Sequence, residues 1–254
     1  MALPRRYGPS GFGFDLATPW ATKWLLIINF SVFVVYALAV RLDLGLLTGL
    51  FHGLSLIPSW VALGALWQPF TYLFIHDPFG FGHIIFNMLG TWMFGRTIEQ
   101  TWGSRRYLEF YFFCGVGAGL CDVALRFLTA DSLSAATIGN SGALYGIILT
   151  FALLFPRAPV ILFPIPVAIP AWVIAAVYGG IAFLSAFDGR GSRISHIAHL
   201  GGMAFAAIYF YRRPTFFNID WQGSYRQWRL RRARRKFEVY MRKRDGGDGG
   251  GWVN

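Results

Sequence analysis

Residues 139–155 read GNSGALYGIILTFALLF, a small polar motif followed at once by a long apolar run. Residues 195–202, SHIAHLGG, open a second apolar run in the same way and supply histidines. Because polar and ionisable groups at membrane depth are costly, a serine and a histidine in such positions are candidates for a functional site. These two runs therefore predict both a membrane fold and a site within it.

The composition of the whole chain supports a membrane protein. Of its 254 residues, 55% are hydrophobic and only 14% are charged, whereas soluble proteins carry about 25% charged residues. Apolar blocks of the kind that cross a bilayer predict an all-α membrane protein with six transmembrane helices. The predicted spans lie near 24–40, 82–95, 107–128, 141–155, 171–187 and 195–211. The aromatic-rich segment 41–81 is expected to lie in the membrane interface.

The positive charge is concentrated at the carboxyl end. The chain has a net charge of +11, and residues 212–254 contain most of that excess. Basic segments next to spans stay in the cytoplasm and contact anionic lipid, so we expect a multi-pass plasma (inner) membrane protein with both termini cytoplasmic. Nucleic acid is not an expected partner, since no reading motif accompanies the charge. The predicted organisation is a cytoplasmic segment 1–23, a membrane domain 24–212 and a basic tail 213–254. We expect no cleavable signal peptide, because residues 1–20 lack a continuous apolar core.

This orientation places three polar residues at one depth. Spans two, four and six all run from the outside to the inside, and His83, Ser141 and His199 each stand near the start of one of them. A site assembled between helices near the outer face is the expected result.

Ser141 is the candidate nucleophile. A serine hydroxyl needs an adjacent base to become reactive, and the helix start supplies free N–H groups for an oxyanion. The alternative is that Asn140 and Ser141 only cap the helix. His199 is the candidate base, with His196 as its rival. Tyr145, one turn after Ser141, is placed to stack on the imidazole; ordinary packing is equally compatible with the sequence.

Small residues repeat every four positions on the two helices concerned. Ala198, Gly202 and Ala206 form one such face and Gly142 and Gly146 the other. Such faces allow close approach of two helix backbones, so we expect the serine and histidine helices to pack closely enough for Ser141 and His199 to form a hydrogen bond.

Other polar residues are spaced for contacts along a single helix. His83 and Asn87 are an i, i+4 pair of donors suited to an oxyanion, although such a pair is also compatible with a structural contact between helices. Asp122 and Arg126 are interpreted as a charge-compensating pair. No acidic residue is well placed to orient His199, which favours a dyad. We also expect no disulfide between Cys114 and Cys121, because two helical turns separate them.

These residues together resemble the rhomboid family of intramembrane serine proteases. The likeness extends from about Trp67 to Tyr211. It includes Phe70-Thr71-Tyr72 with His76, the segment His83 to Asn87, Gly95-Arg96-Thr97-Ile98-Glu99, Gly139-Asn140-Ser141-Gly142 with Tyr145, and Ala198-His199-Leu200-Gly201-Gly202. This chain has Trp67-Gln68 where family members often have Trp-Arg.

The resemblance implies a rhomboid-like six-helix bundle with a Ser141–His199 dyad. It assigns His83, Asn87 and the Ser141 backbone to the oxyanion site. It also implies cleavage of membrane-anchored proteins in or near their transmembrane segments, without a cofactor or a metal. The alternatives are a catalytically silent relative that binds membrane clients, and a small transporter, which would predict an inverted repeat that the sequence does not show.

Overall fold

The computed structural model describes residues 18–129, 132–161, 167–186 and 196–212, which are predominantly helical. The chain forms two compact units, Met1–Tyr209 and Phe210–Asn254. Almost all of the second unit lies outside the described residues, so the predicted tail 213–254 stays a prediction. The helices are α1 (Trp20–Arg41), α2 (Gly45–Leu54), α3 (Pro58–Ala62), α4 (Gln68–Thr71), α5 (Phe81–Gly90), α6 (Arg96–Trp102), α7 (Ser104–Thr129), α8 (Ser141–Leu154), α9 (Ala171–Ser185) and α10 (His196–Tyr211).

Each predicted span falls on a helix, and two of these helices are long and apolar enough to cross a membrane. These two are α1 and α7, while α2, α8 and α9 are shorter apolar helices. The helix of the second predicted span continues beyond residue 95. A π-helical turn (Thr91–Gly95) joins α5 to α6. Gly95 lies within this continuing helix and leaves room for the Tyr107 hydroxyl, which a Cβ there would meet. The helix ends at Gly103, whose φ is 82°.

A short β-hairpin between α8 and α9 was not expected from the sequence. Strand β1 (Pro159–Ile161) pairs antiparallel with β2 (Ala168–Pro170), with Pro159 opposite Pro170. Its prolines stand at the outer ends of the ladder, where a missing N–H donor is tolerated.

The segment after α1 combines exposed aliphatic residues with aromatic anchors. Leu46 and Leu63 are 94% and 87% exposed. Two aromatic residues of this segment, Phe51 and Tyr72, are buried. Their rings pack inward because this segment folds back on the helices, where Phe51 joins Ala39 and Ile75 in a core cluster.

Gln68 holds this segment in place. Its side chain is fully buried, and its Oε1 accepts a hydrogen bond from the Ile57 N–H at 2.9 Å. Its Nε2 donates to the Gly53 carbonyl at 3.1 Å, and the Trp67 indole donates to the same carbonyl at 3.1 Å. A neutral amide at this position therefore anchors the segment without the arginine that family members often carry.

Glu99 fixes the start of α1 from a distance in sequence. Its buried carboxylate accepts hydrogen bonds from the Ala21 N–H at 2.8 Å and from the Thr22 N–H and hydroxyl at 2.7 Å each. The Ser104 hydroxyl donates a fourth at 2.6 Å. The first N–H groups of a helix have no partner within the helix, and a carboxylate there is also favoured by the helix dipole.

The first prediction concerns this carboxylate. Glu99→Gln replaces one acceptor oxygen by a donor amide, so about two of the four bonds should be lost, at a cost of about 2–4 kcal/mol. We expect the thermal unfolding midpoint in mild detergent to fall by about 5–10 °C. Glu109→Gln is the matched control, because Glu109 is 46% exposed and pairs with the exposed Arg105; it should change stability by less than about 0.5 kcal/mol. Equal midpoints for both variants would contradict the capping role.

Candidate active site

Ser141 and His199 meet between α8 and α10. The Ser141 Oγ lies 2.8 Å from the His199 Nε2, although 58 residues separate them in the chain. His199 is only 6% exposed, so the imidazole is shielded. This distance is that of a strong hydrogen bond, as proton transfer from serine to histidine requires.

Small residues bring the two helix backbones together. A Cβ at Gly142 would lie 3.3 Å from the Ala198 carbonyl oxygen, and one at Gly146 would lie 3.0 Å from that of Gly202. A Cβ at Gly202 would meet the Gly142 carbonyl oxygen. The expected close packing of these two faces is therefore confirmed.

An aromatic ring orients the histidine. The rings of Tyr145 and His199 are stacked with centroids 4.1 Å apart and an angle of 5° between their planes. His196 lies edge-on to His199 at 6.0 Å between centroids. Among the described residues, His199 Nδ1 has no hydrogen-bond partner. The arrangement in this part of the chain is therefore a Ser–His pair, held by a stacked tyrosine rather than by a carboxylate.

The turn before Ser141 is shaped by its glycine and held by backbone bonds. Gly139 has a φ of 100°, a conformation that favours glycine. Its N–H donates to the Tyr72 carbonyl at 3.0 Å. Asn140 stands at the N-cap of α8 but makes no side-chain capping bond, and Ser141 bonds to His199 instead. Simple capping thus does not account for this motif.

His83 and Asn87 lie on the other side of this turn. A Cβ at Gly139 would lie 2.9 Å from the His83 Nε2 and 3.8 Å from the Asn87 Nδ2, so both side chains lie beside Gly139, two residues before Ser141. Asn87 Nδ2 also donates to the His83 carbonyl at 2.9 Å.

Sequence reasoning did not identify the partners of Asn140. Its Nδ2 donates to the Thr91 hydroxyl at 3.2 Å, and its Oδ1 lies 3.3 Å from the His76 Nε2. All three side chains are fully buried. The sequence contained one indication of such contacts: Asn140 is a polar side chain directly before Ser141, at the start of an apolar run.

Within the described ranges, no group of three His, Cys, Asp or Glu side chains lies close enough together to hold an ion. Cys114 and Cys121 are free thiols, as their spacing predicts.

The sequence matches a known protein family over the region that contains this site. The model of the Rhomboid domain matches residues 63–214, a range that includes all the residues of this site. The chain belongs to the rhomboid family. Rhomboids are membrane-embedded proteins, and the family includes serine proteases that act within the membrane.

Named relatives match parts of this rhomboid. It is 31% identical over 130 residues to Rhomboid protein 1, mitochondrial, of Saccharomyces cerevisiae, which is 51% of this chain and 37% of that protein. It is 34% identical over 145 residues to RHOMBOID-like protein 12, mitochondrial, of Arabidopsis thaliana, covering 50% and 41%. With Rhomboid protease GluP of Bacillus subtilis it shares 29% identity over 99 residues, covering 39% and 19%. Less than half the length of each relative is therefore matched.

The second prediction concerns His76, in the loop before α5. Burial, with a smaller contribution from neighbouring His83, lowers the pKa of His76 to about 4. An unfolded chain would protonate this ring near pH 6.5, so the stabilising effect of the neutral ring is complete above pH 6.5 and is lost as the pH falls toward 4. We expect the free energy of unfolding to drop by up to about 3 kcal/mol over this range.

The measurement is chemical unfolding of this rhomboid in detergent at several pH values. His76→Gln removes the titrating ring, so its unfolding free energy should start lower at pH 7 but change less between pH 6.5 and 4. Parallel pH profiles for the wild type and His76→Gln would show that another group carries the effect.

Proposed function

We propose that this rhomboid is an intramembrane serine endopeptidase that cleaves membrane-anchored proteins in or near their transmembrane segments. The observation that supports this most directly is the 2.8 Å hydrogen bond between the Ser141 hydroxyl and a buried, stacked imidazole. A buried polar pair between apolar helices is costly, and a structural role would be served equally well by apolar packing.

The proposed reaction has two steps. The Ser141 oxygen attacks the scissile carbonyl carbon while its proton passes to His199 Nε2. The tetrahedral intermediate collapses, the C–N bond breaks, and the leaving amine takes the proton from His199. Water then gives a proton to His199 as its oxygen attacks the ester carbonyl, and the departing Ser141 oxygen recovers that proton. One peptide bond and one water become a carboxylic acid and an amine.

The oxyanion of each intermediate needs donors near the nucleophile. The N–H groups at the start of α8 supply part of the stabilisation, together with the positive end of its dipole. His83 and Asn87 face the same turn and are proposed as side-chain donors. Tyr145 is proposed to keep the imidazole plane aligned with the hydroxyl. No cofactor or metal is needed for this chemistry.

The proposed setting is a six-helix bundle in the plasma (inner) membrane with both termini cytoplasmic. The six predicted spans and the positive-inside rule support this orientation. The segment with exposed Leu46 and Leu63 is proposed to lie in the outer interface, and the basic tail to contact anionic lipid. Substrate helices must unwind locally, since an intact helix keeps its carbonyls in its own hydrogen bonds.

A probe and a substrate test this function together. A fluorophosphonate should modify the purified protein at Ser141, identified by mass spectrometry of the labelled peptide. A fluorescent transmembrane substrate should be cleaved, and faster when a helix-breaking residue lies near the scissile bond. A protein that binds the substrate but neither cleaves it nor reacts with the probe would be the silent client-binding relative instead.

A further inference from the structure

Thr137 lies four residues before Ser141 and is held by its backbone. Its carbonyl accepts a hydrogen bond from the Leu56 N–H at 3.0 Å, and its N–H donates to the Leu56 carbonyl at 2.8 Å. These two bonds form an isolated antiparallel bridge. Leu56 is adjacent to Ile57, which Gln68 anchors. The segment 137–141 is therefore joined to the loop that follows α2.

The Thr137 side chain is held by residues near the carboxyl end of α7. Its hydroxyl donates to the Asp122 Oδ2 at 2.7 Å. Arg126 Nε donates to the same Oδ2 at 3.2 Å, and Arg126 Nη2 donates to the Thr137 hydroxyl at 3.3 Å. Arg126 Nη1 also donates to the Ser132 carbonyl at 3.1 Å. These contacts turn an i, i+4 pair into a clamp on the segment that leads to the nucleophile.

Burial separates this pair from an ordinary surface ion pair on the same helix. The side chains of Arg126 and Asp122 are 15% and 4% exposed, and Thr137 is 4% exposed. The side chains of Arg105 and Glu109, also i, i+4 on α7, are 94% and 46% exposed. An exposed pair contributes little, whereas hydrogen bonds to a buried carboxylate are short and strong.

We infer that Asp122 is a positioning residue that acts through Thr137 to hold the turn before Ser141 in its reactive geometry. This inference rests on the proposed protease function. The turn contains Gly139 at a positive φ, so the chain has conformational freedom directly before the nucleophile. Catalysis depends on placement to within about 1 Å. The clamp fixes Thr137 from two elements, and the 2.8 Å contact to His199 depends on that fixed approach.

Two variants of Thr137 and one of Asp122 test this inference in the full-length protein. Thr137→Val keeps the side-chain shape but removes the hydroxyl, while Thr137→Ser keeps the hydroxyl. Asp122→Asn removes the charge, and Glu109→Gln is the matched control on the exposed pair of the same helix. Three quantities are measured: amide hydrogen exchange in residues 132–141, the rate of fluorophosphonate modification of Ser141, and kcat and KM for a transmembrane substrate.

We expect Thr137→Val and Asp122→Asn to accelerate exchange of the Thr137 and Gly139 amides at least about tenfold. The modification rate and kcat, taken per folded molecule, should fall about tenfold while KM stays within twofold. Thr137→Ser should recover these values to within about threefold, and Glu109→Gln should leave all of them unchanged.

The two proposals fail in different ways. Unchanged exchange in both Thr137→Val and Asp122→Asn would overturn the clamp, whatever the catalytic rates. Faster exchange with wild-type kcat and modification rate would overturn its role in positioning. The wild type could also neither react with the probe nor cleave substrate, while the variants still show faster exchange. That result would refute the protease function and, with it, the positioning role of Asp122, and the clamp would be a structural contact only.

Discussion

Ser141→Ala and His199→Ala should each abolish cleavage of a transmembrane substrate. Alanine at 141 removes the proposed nucleophile, and alanine at 199 leaves the Ser141 hydroxyl without the proposed base, which lies 2.8 Å from it. Removing either member of such a pair lowers kcat by at least about 10⁴-fold in serine proteases. The measurement is release of the fluorescent fragment by each purified variant, with fluorophosphonate labelling of the 141 peptide as a second readout.

The two side chains act as one unit, so their effects should not add. The double variant Ser141→Ala/His199→Ala should be as inactive as either single variant, within about threefold. His196→Ala is the comparison for the rival base, whose ring lies 6.0 Å from that of His199. It should retain activity within about threefold. Wild-type cleavage by His199→Ala, or complete loss in His196→Ala with His199 intact, would assign the base differently.

Patterns local in the sequence predicted the helices and the residues of the pair. Runs of apolar residues gave the positions of α1, α7, α8, α9 and α10, because a helix needs only a continuous apolar stretch of suitable length. Small residues at spacings of four gave the contact of α8 with α10. A serine and a histidine, each at the entry to its own run, gave the two members of the candidate site.

The contacts that hold the site depend on partners far away in the chain, and no local pattern contains them. Glu99 bonds to Thr22 across 77 residues, and Asn140 to Thr91 across 49. Gln68 is a second example of a contact that the sequence does not reveal. The sequence shows a glutamine where rhomboids often have an arginine after the tryptophan, but the fold shows that its amide bonds to Ile57 and Gly53. Thr137 has no distinguishing feature in the sequence at all. Its role follows from the bridge to Leu56 and from the Asp122 carboxylate.

Gly202→Ala should remove most of the proteolytic activity, although it changes neither Ser141 nor His199. The new Cβ would meet the carbonyl oxygen of Gly142, which belongs to helix backbone and cannot rotate away as a side chain could. Helices α8 and α10 must therefore move apart next to Ser141 and His199. Since a displacement of about 1 Å can cost about 100-fold in rate, we expect kcat to fall at least about 100-fold. Overpacking of this kind also destabilises by about 1–3 kcal/mol.

Gly180→Ala is the matched control, because it adds the same methyl group to a helical glycine with nothing within 4 Å of the new Cβ. It should leave kcat within twofold and raise stability by up to about 1 kcal/mol, since alanine favours the helix over glycine. Rates are compared per folded molecule, with the folded fraction measured by size-exclusion chromatography and thermal unfolding. If folded Gly202→Ala cleaves substrate as fast as Gly180→Ala, the close approach of α8 and α10 does not set the Ser141–His199 distance. If its loss exceeds what unfolding explains, the small-residue contact between these helices is what keeps the hydroxyl and the imidazole in bonding distance.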